Sequence, residues 1–347
     1  MQDPMQNSMQ STREAQFWRR PDQESEDVNC SLCHQSCRIR PGKRGICAVR
    51  ENQGGMLMTL VYGNLIAANE DPIEKKPFFH FLPGSLAYSI ATVGCNFRCL
   101  HCQNADISQL PHETGKLPGN YVPPEDVVAG AVSRGCQSVA YTYTEPTIFF
   151  EYAYDVARLA RASKLRNVFV SNGYIGQDAA DKIIPFLDGI NIDLKGDDEF
   201  YRKVCKAKLD PVKSNIEKFW RAGVWVEVTT LVIPGYNDSV EVLTDMAGFL
   251  AGISRDMPWH VSAFYPTYKL LDAPPTGVES IKRALNIGRE AGLKYVYAGN
   301  IIGESESTIC PDCGFVLIER RGYRVMKNSV TEGRCPNCKA AVAGVWS

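Results

Sequence analysis

The sequence predicts an α/β fold built on a parallel sheet, with a small cysteine-rich module before it and another after it. Two observations predict this. From Leu86 onward, short apolar runs alternate with helical stretches, strand and helix together recurring every roughly 30 residues, as crossover units do. The 13 cysteines also fall mainly into three groups, near the start, around Cys99 and at the end of the 347 residues.

Residues 1–28 are rich in Gln, Ser, Asp and Glu and poor in aliphatics, and predict a disordered tail. Residues 29–84 form a turn-rich, cysteine-bearing module with short strand signals such as "MLMTLVYG". Residues 85–303 carry seven strand candidates: LAYSIATV, SVAYTYT, NVFVSN, GINIDL, WVEVTTLVI, HVSAFYP and YVYAG. The intervening helices include "PEDVVAGAVSRG", "TIFFEYAYDVARLARAS" and "VESIKRALNIGREAG". Pro or acidic residues open them and Gly follows several ends, as helix caps require. Seven such strands can curl into a barrel-like sheet or lie in an open doubly wound one. Either way ligands gather at the carboxyl ends of the strands, where Glu145, Ser171–Asn172, Asp193–Lys195, Gly235–Asn237 and Tyr265 fall. Residues 304–347 form the last module.

Composition narrows the function classes. Hydrophobic and charged fractions of 44% and 22% are those of an ordinary globular chain. A net charge of −1 argues against general binding to nucleic acid or anionic membranes. The most apolar window, Leu82–Val93, is short and broken by Pro, Gly and Ser, so no membrane span is expected. No charged-then-apolar signal opens the chain, and a cytoplasmic protein is expected. In a reducing compartment, clustered cysteines point to metal ligation rather than disulfides. Cys136 and Cys205 stand alone and read as plain thiols.

The stretch "GCNFRCLHCQN" spaces Cys95, Cys99 and Cys102 as Cys-x3-Cys-x2-Cys. Three thiolates leave one iron of a 4Fe–4S cluster open to a small molecule. A zinc knuckle borrowing His101 or His112, or three unrelated thiols, is the competing reading. At the end, Cys310-x2-Cys313 and Cys335-x2-Cys338 have the spacing of a four-thiolate zinc ribbon, with a rubredoxin-like iron as the competitor. The segment between them, "FVLIERRGYRVMKN", alternates like two strands around a turn. Cys30, Cys33, Cys37 and Cys47 suit zinc or an auxiliary 4Fe–4S cluster, with His34 as a substitute ligand. His80 and His260 read as packed, structural histidines.

The triad loop after the first strand resembles the signature of the radical S-adenosylmethionine (radical SAM) superfamily. The resemblance implies a partial (β/α)6-type barrel in which the open iron binds SAM. "YTEP" (143–146) resembles the Gly-Gly-Glu-Pro motif of the glycyl-radical-enzyme activases, which assigns Glu145 to the SAM amino group. "SNG" (171–173) resembles their ribose-side loop, involving Ser171 and Asn172. "DLK" (193–195) matches their Asp-Leu-Lys, in which the lysine faces the SAM carboxylate, implying roles for Asp193 and Lys195. "IPGYND" (233–238) resembles their Pro-Gly turn. Departures are Tyr143 and Thr144 for the Gly pair, His101 before the third cysteine, Val170 where a cation-binding Asp stands, and Phe264–Tyr265–Pro266 for Pro-Tyr-His.

A narrower resemblance covers residues 28–347. "NCSLCHQSCRIRPGKRGICAVREN", "YGNLIAANEDPIEKKPFFHFLPGS", "YKLLDAPPT", "LKYVYAGNI" and the paired "CPDCG" and "CPNC" occur in order. They are similar to the radical SAM enzyme of the AmmeMemoRadiSam system, related to pyruvate formate-lyase activating enzyme-like proteins. The resemblance implies a 4Fe–4S cluster, SAM and a low-potential donor, ferredoxin or flavodoxin, with Memo-like and AMMECR1-like proteins as partners. Three functions are weighed: a radical SAM enzyme generating a 5′-deoxyadenosyl radical, a glycyl-radical activase acting on a partner protein, and a non-catalytic metal-stapled scaffold. Tyr141, Tyr143 and Tyr265 are candidates to line a substrate pocket.

Overall fold

A computed structural model describes residues 10–301 and 306–347. The chain is mixed α/β, and its contacts divide it into two compact units. The first holds the N-terminal residues through Glu70, then Ala87–Asp188 and Cys205–Ala207; the second holds Asp71–Leu86, Gly189–Val204 and Lys208 onward.

In the first unit, strand β1 (Leu86–Ala91), β2 (Ser138–Tyr141) and β3 (Arg166–Ser171) run parallel with β2 central. Val139, Ala140, Val168 and Phe169 are fully or almost fully buried, the continuous apolar run expected of a parallel strand covered on both faces. Helix α1 (Pro124–Ser133) starts with Pro at its first position and Glu125 and Asp126 in its first turn, which favours the positive end of the helix dipole. Helix α2 (Phe150–Ala162) buries Ala153, Val156, Ala157 and Ala160 at helical spacing. Helix α3 (Gln177–Ile183) follows β3.

In the second unit, β4 (Gly189–Asp193), β5 (Trp225–Val232), β6 (Trp259–Ala263) and β7 (Val296–Gly299) are parallel neighbours in sequence order. Helices α4 (Asp210–Arg221), α5 (Val240–Ile253) and α6 (Val278–Glu290) connect them. Ser239 caps α5 by accepting from Val242 N at 3.2 Å. Helix α4 buries Val212, Ile216 and Phe219, a single stripe. All seven expected strands are present, as is the C-terminal antiparallel meander of Thr308–Ile309, Val316–Arg321 and Arg324–Asn328. No helix among the described residues is long and apolar enough to cross a membrane.

Two expectations about domain limits need correction. The predicted tail is ordered from residue 10 to 28; its first nine residues lie outside the described ones. Arg13–Glu14 pairs with Met56–Thr59, and Trp18–Arg19 with Val28–Cys30. Few apolar residues suffice because each is placed: Phe17 packs edge-on to Phe150 at 5.1 Å, and Arg13 lies 3.6 Å over the Tyr62 ring. The expected module end at residue 84 also differs, since Asp71–Leu86 groups with the second unit. The cause is Glu227 on β5, whose buried carboxylate accepts from Phe79 N at 2.9 Å and His80 N at 2.8 Å. Phe78, Phe79 and Phe81 are buried there. The expected limit at 303/304 lies outside the described residues.

Candidate functional site

The loop after β1 carries the triad. Gly94 precedes it with φ of +104°, a conformation open to glycine but strained for other residues, and a Cβ there would stand 2.7 Å from Val49 Cγ1. Cys95 Sγ accepts from Phe97 N at 3.3 Å and from Asn172 Nδ2 at 3.8 Å. Cys102 Sγ lies 3.0 Å from Ser108 Oγ, and Cys99 is buried. The wholly zinc-based reading with His112 loses its ligand: His112 Nε2 faces the Cys95 carbonyl at 3.3 Å, and its Nδ1 accepts from Arg98 at 2.9 Å.

The loop after β2 carries Glu145, which is 2% exposed. Its Oε1 accepts from Thr147 N at 3.0 Å, Thr147 Oγ1 at 2.6 Å and Ser171 Oγ at 2.8 Å; its Oε2 accepts from Asn172 N at 2.8 Å. Four donors suit a carboxylate, yet no cation among the described residues pairs with it. Burial pushes its pKa up, against the pull of the Thr147, Asn172 and Ser171 hydrogen bonds. Glu145 is also an electrostatic neighbour of Cys95, whose thiol is raised by burial first and by this carboxylate next. The structure therefore brings Cys95, Glu145, Ser171 and Asn172 together. Ser171 and Asn172 shape this arrangement: Asn172 Nδ2 also donates to Asn96 Oδ1 at 2.7 Å, and Ser171 Oγ accepts from Gly173 N at 3.0 Å.

Two consequences were not visible from the motifs. Tyr143, standing where the activase motif has glycine, adopts φ of +61°, so the backbone keeps a glycine-like turn despite the bulky side chain. Thr147 and Asn96 also belong to the arrangement; their signal in the sequence is only adjacency, to Glu145 and to Cys95. Asp193 and Lys195 lie in the second unit, where Lys195 Nζ meets Asp193 Oδ2 at 2.7 Å. Asn237 Nδ2 donates to the Lys195 carbonyl at 2.6 Å and fixes that turn. Tyr141 is buried and donates to Asn167 Oδ1 at 3.0 Å, a core role, whereas Tyr265 is exposed.

The three cysteine groups differ in spacing. Cys310 and Cys338 stand 3.6 Å apart and Cys313 and Cys335 3.7 Å. A zinc–sulfur bond of about 2.3 Å gives a tetrahedron with edges of about 3.8 Å, so this set fits a closed single-ion site. Among the described residues it is the one group of three or more such side chains whose ligand atoms all lie within 4.8 Å of one another. A multi-iron cluster with one thiolate per iron would hold the three triad sulfurs farther apart than a single ion does. Three sulfurs on one loop, with N–H donors directed at Cys95, fit such a cluster. Cys136 and Cys205 are buried thiols, and His80 and His260 are hydrogen-bonded core residues.

Residues 89–247 match the model of the radical SAM superfamily. The chain therefore carries a domain of that superfamily. Membership implies an enzyme that uses a 4Fe–4S cluster and SAM. An uncharacterised protein of Methanocaldococcus jannaschii is 44% identical over 94% of this chain and 97% of its own length. A second protein of that organism, assigned provisionally as a glycyl-radical enzyme activating enzyme, is 26% identical over 60% of this chain and 77% of its own. A solved domain of a pyruvate-formate lyase-activating enzyme from Bacteroides vulgatus aligns with a TM-score of 0.41 and 18% identity, covering 47% of this chain and 99% of that one.

Proposed function

We propose that this chain cleaves SAM reductively and directs the resulting radical to abstract hydrogen from a substrate, as the radical SAM enzyme of the AmmeMemoRadiSam system. The observation that carries the reading is Glu145: a buried carboxylate beside Cys95, with four hydrogen-bond donors and no cation partner among the described residues. An ammonium group is the partner that such a charge lacks. Cys95, Cys99 and Cys102 would hold the cluster, which with SAM supplies sulfonium cleavage and a 5′-deoxyadenosyl radical. Glu145 would bind the SAM amino group, with Ser171 and Asn172 fixing its orientation. For Asp193 and Lys195, support for a role toward the SAM carboxylate comes from the Asp-Leu-Lys resemblance. Ferredoxin or flavodoxin would supply the electron, and the four terminal thiolates would hold zinc as a structural clamp.

A second reading, supported by the name of one archaeal relative, is a glycyl-radical activase whose substrate is a backbone glycine of a partner protein. Memo-like and AMMECR1-like proteins are the partners proposed for the first reading. The test is anaerobic: reconstituted protein with dithionite and SAM should form 5′-deoxyadenosine, and Cys99→Ala should abolish it. A chain with an intact cluster spectrum and no calorimetric binding of SAM would overturn the proposal.

A further inference from the structure

The N-terminal cysteines show a geometry of their own. Cys30 N donates to Cys37 O at 2.9 Å, a Cβ on Gly45 would stand 3.7 Å from Cys37 Sγ, and burial together with the charge of Cys30 raises the Cys33, Cys37 and Cys47 thiols, so the four form one group within the first unit. In the triad, Cys95 Sγ accepts from Phe97 N at 3.3 Å. Cys37 Sγ accepts from Ile46 N at 3.5 Å. These are the turns in which a backbone amide steadies a metal-bound sulfur.

Spacing then sorts the metal. Among the described residues the terminal set is the one group whose ligand atoms all lie within 4.8 Å of one another, and these four cysteines are outside it. The surrounding donors point the same way. Arg50 is 1% exposed; it pairs with Glu151 and donates to Gln16 O at 2.9 Å, yet its buried Nε has no partner. That guanidinium is an electrostatic neighbour of both Cys30 and Cys47. The Asn96 amide faces the Cys33 thiol, and its buried Nδ2 makes no full hydrogen bond. Nε2 of His34, in the same module, is a third buried side-chain nitrogen without a hydrogen bond. Buried donors are ordinarily satisfied, and sulfides bridging between irons would supply acceptors that a lone zinc ion lacks. The buried cation also offsets the net negative charge of a four-thiolate centre.

We propose that Cys30, Cys33, Cys37 and Cys47 hold a second iron–sulfur cluster, closed by four protein thiolates and placed beside the triad. The placement is built in. Gln35 Nε2 donates to Asn96 O at 2.8 Å, His34 N donates to Tyr174 O at 3.0 Å, and Cys33 bridges to Ile175. A Cβ on Gly94 would meet the Cys47 carbonyl at 3.1 Å. Asn96 therefore joins the two sets, its carbonyl accepting from Gln35 of the N-terminal module and its Oδ1 accepting from Asn172 beside Cys95. The chemistry of a closed centre is storage of one electron, taken from a low-potential donor with no bond or proton changing hands.

The assignment stands independently of SAM cleavage, and so does its test. Full-length protein reconstituted anaerobically should contain about eight iron, eight acid-labile sulfide and one zinc. The Cys95→Ala/Cys99→Ala/Cys102→Ala variant should keep about four iron and four sulfide, with a paramagnetic signal after dithionite reduction. Cys33→Ser/Cys47→Ser should lose that signal. In the reduced wild type the two centres should broaden each other's resonance. Four iron with two zinc in the wild type would overturn the proposal, and this count needs no variant to fold. A triad variant that keeps its circular dichroism but binds no iron would overturn it as well. Absence of 5′-deoxyadenosine from an eight-iron protein would overturn the function proposed above and leave this site standing.

Discussion

Replacing Glu145 by Gln isolates the charge from the shape. The glutamine oxygen can retain the three donors that meet Oε1: Thr147 N, Thr147 Oγ1 and Ser171 Oγ. Its amide nitrogen would then oppose Asn172 N, which now donates at 2.8 Å. One buried donor is left unsatisfied, a loss of about 1–3 kcal/mol. Against that stands the removal of a buried charge. Burial raises the folded pKa of Glu145 above its ordinary value, so stability is lost as pH rises from that ordinary value through the folded one, and is regained as pH falls back. The two effects oppose, and the unliganded variant should unfold near the wild-type midpoint at neutral pH. SAM binding has no such compensation. Removing one partner of a buried ion pair costs about 3 kcal/mol or more, which is on the order of a hundredfold in Kd. The assay is anaerobic calorimetry with SAM on protein of verified iron content. Methylthioadenosine, which lacks the amino acid portion, should bind wild type and variant alike. Equal SAM affinity in the two proteins would refute the assignment of Glu145 to an ammonium.

Three other outcomes follow from the geometry. Burial lowers His80 to about 4, and it is held neutral between Ala343 O at 2.7 Å and Tyr297 Oη at 2.6 Å. Its folded pKa lies below its unfolded one, so stability is complete above about 6.5 and is lost as pH falls toward about 4, by about 3 kcal/mol in total; a urea midpoint flat across that window would contradict this. Glu227→Ala strands Phe79 N, His80 N, Trp225 Nε1 and His260 Nε2, and should cost about 3–5 kcal/mol in denaturant unfolding; an unchanged midpoint would show that these donors find water instead. Cys313→Ser should release the terminal metal while iron content stays constant, measured by elemental analysis; retained zinc would place that ion elsewhere.

Much of this molecule was legible before folding. Strand and helix alternation is a local periodicity, fixed by which residues must be covered on two faces and which on one, and all seven parallel strands lie where the apolar runs place them. Cysteine spacing is equally local, since two thiolates with two residues between them can grip one ion whatever the rest of the chain does. The tail misled because composition counts apolar residues without knowing where each one lands, and Phe17 lands on Phe150.

Tertiary structure decided what spacing leaves open. The donors to Glu145 come from Thr147, two residues away, and from Ser171 and Asn172, 26 and 27 residues away. Only the pairing of β2 with β3 brings the latter two to it. Likewise, spacing predicts a closed four-thiolate set at the end of the chain, and only folding brings Cys310 to within 3.6 Å of Cys338 and Cys313 to within 3.7 Å of Cys335. A sequence determines which groups can donate, accept or ligate; distance and burial determine which of them must, because an unpartnered charge or polar group is costly only once water is excluded.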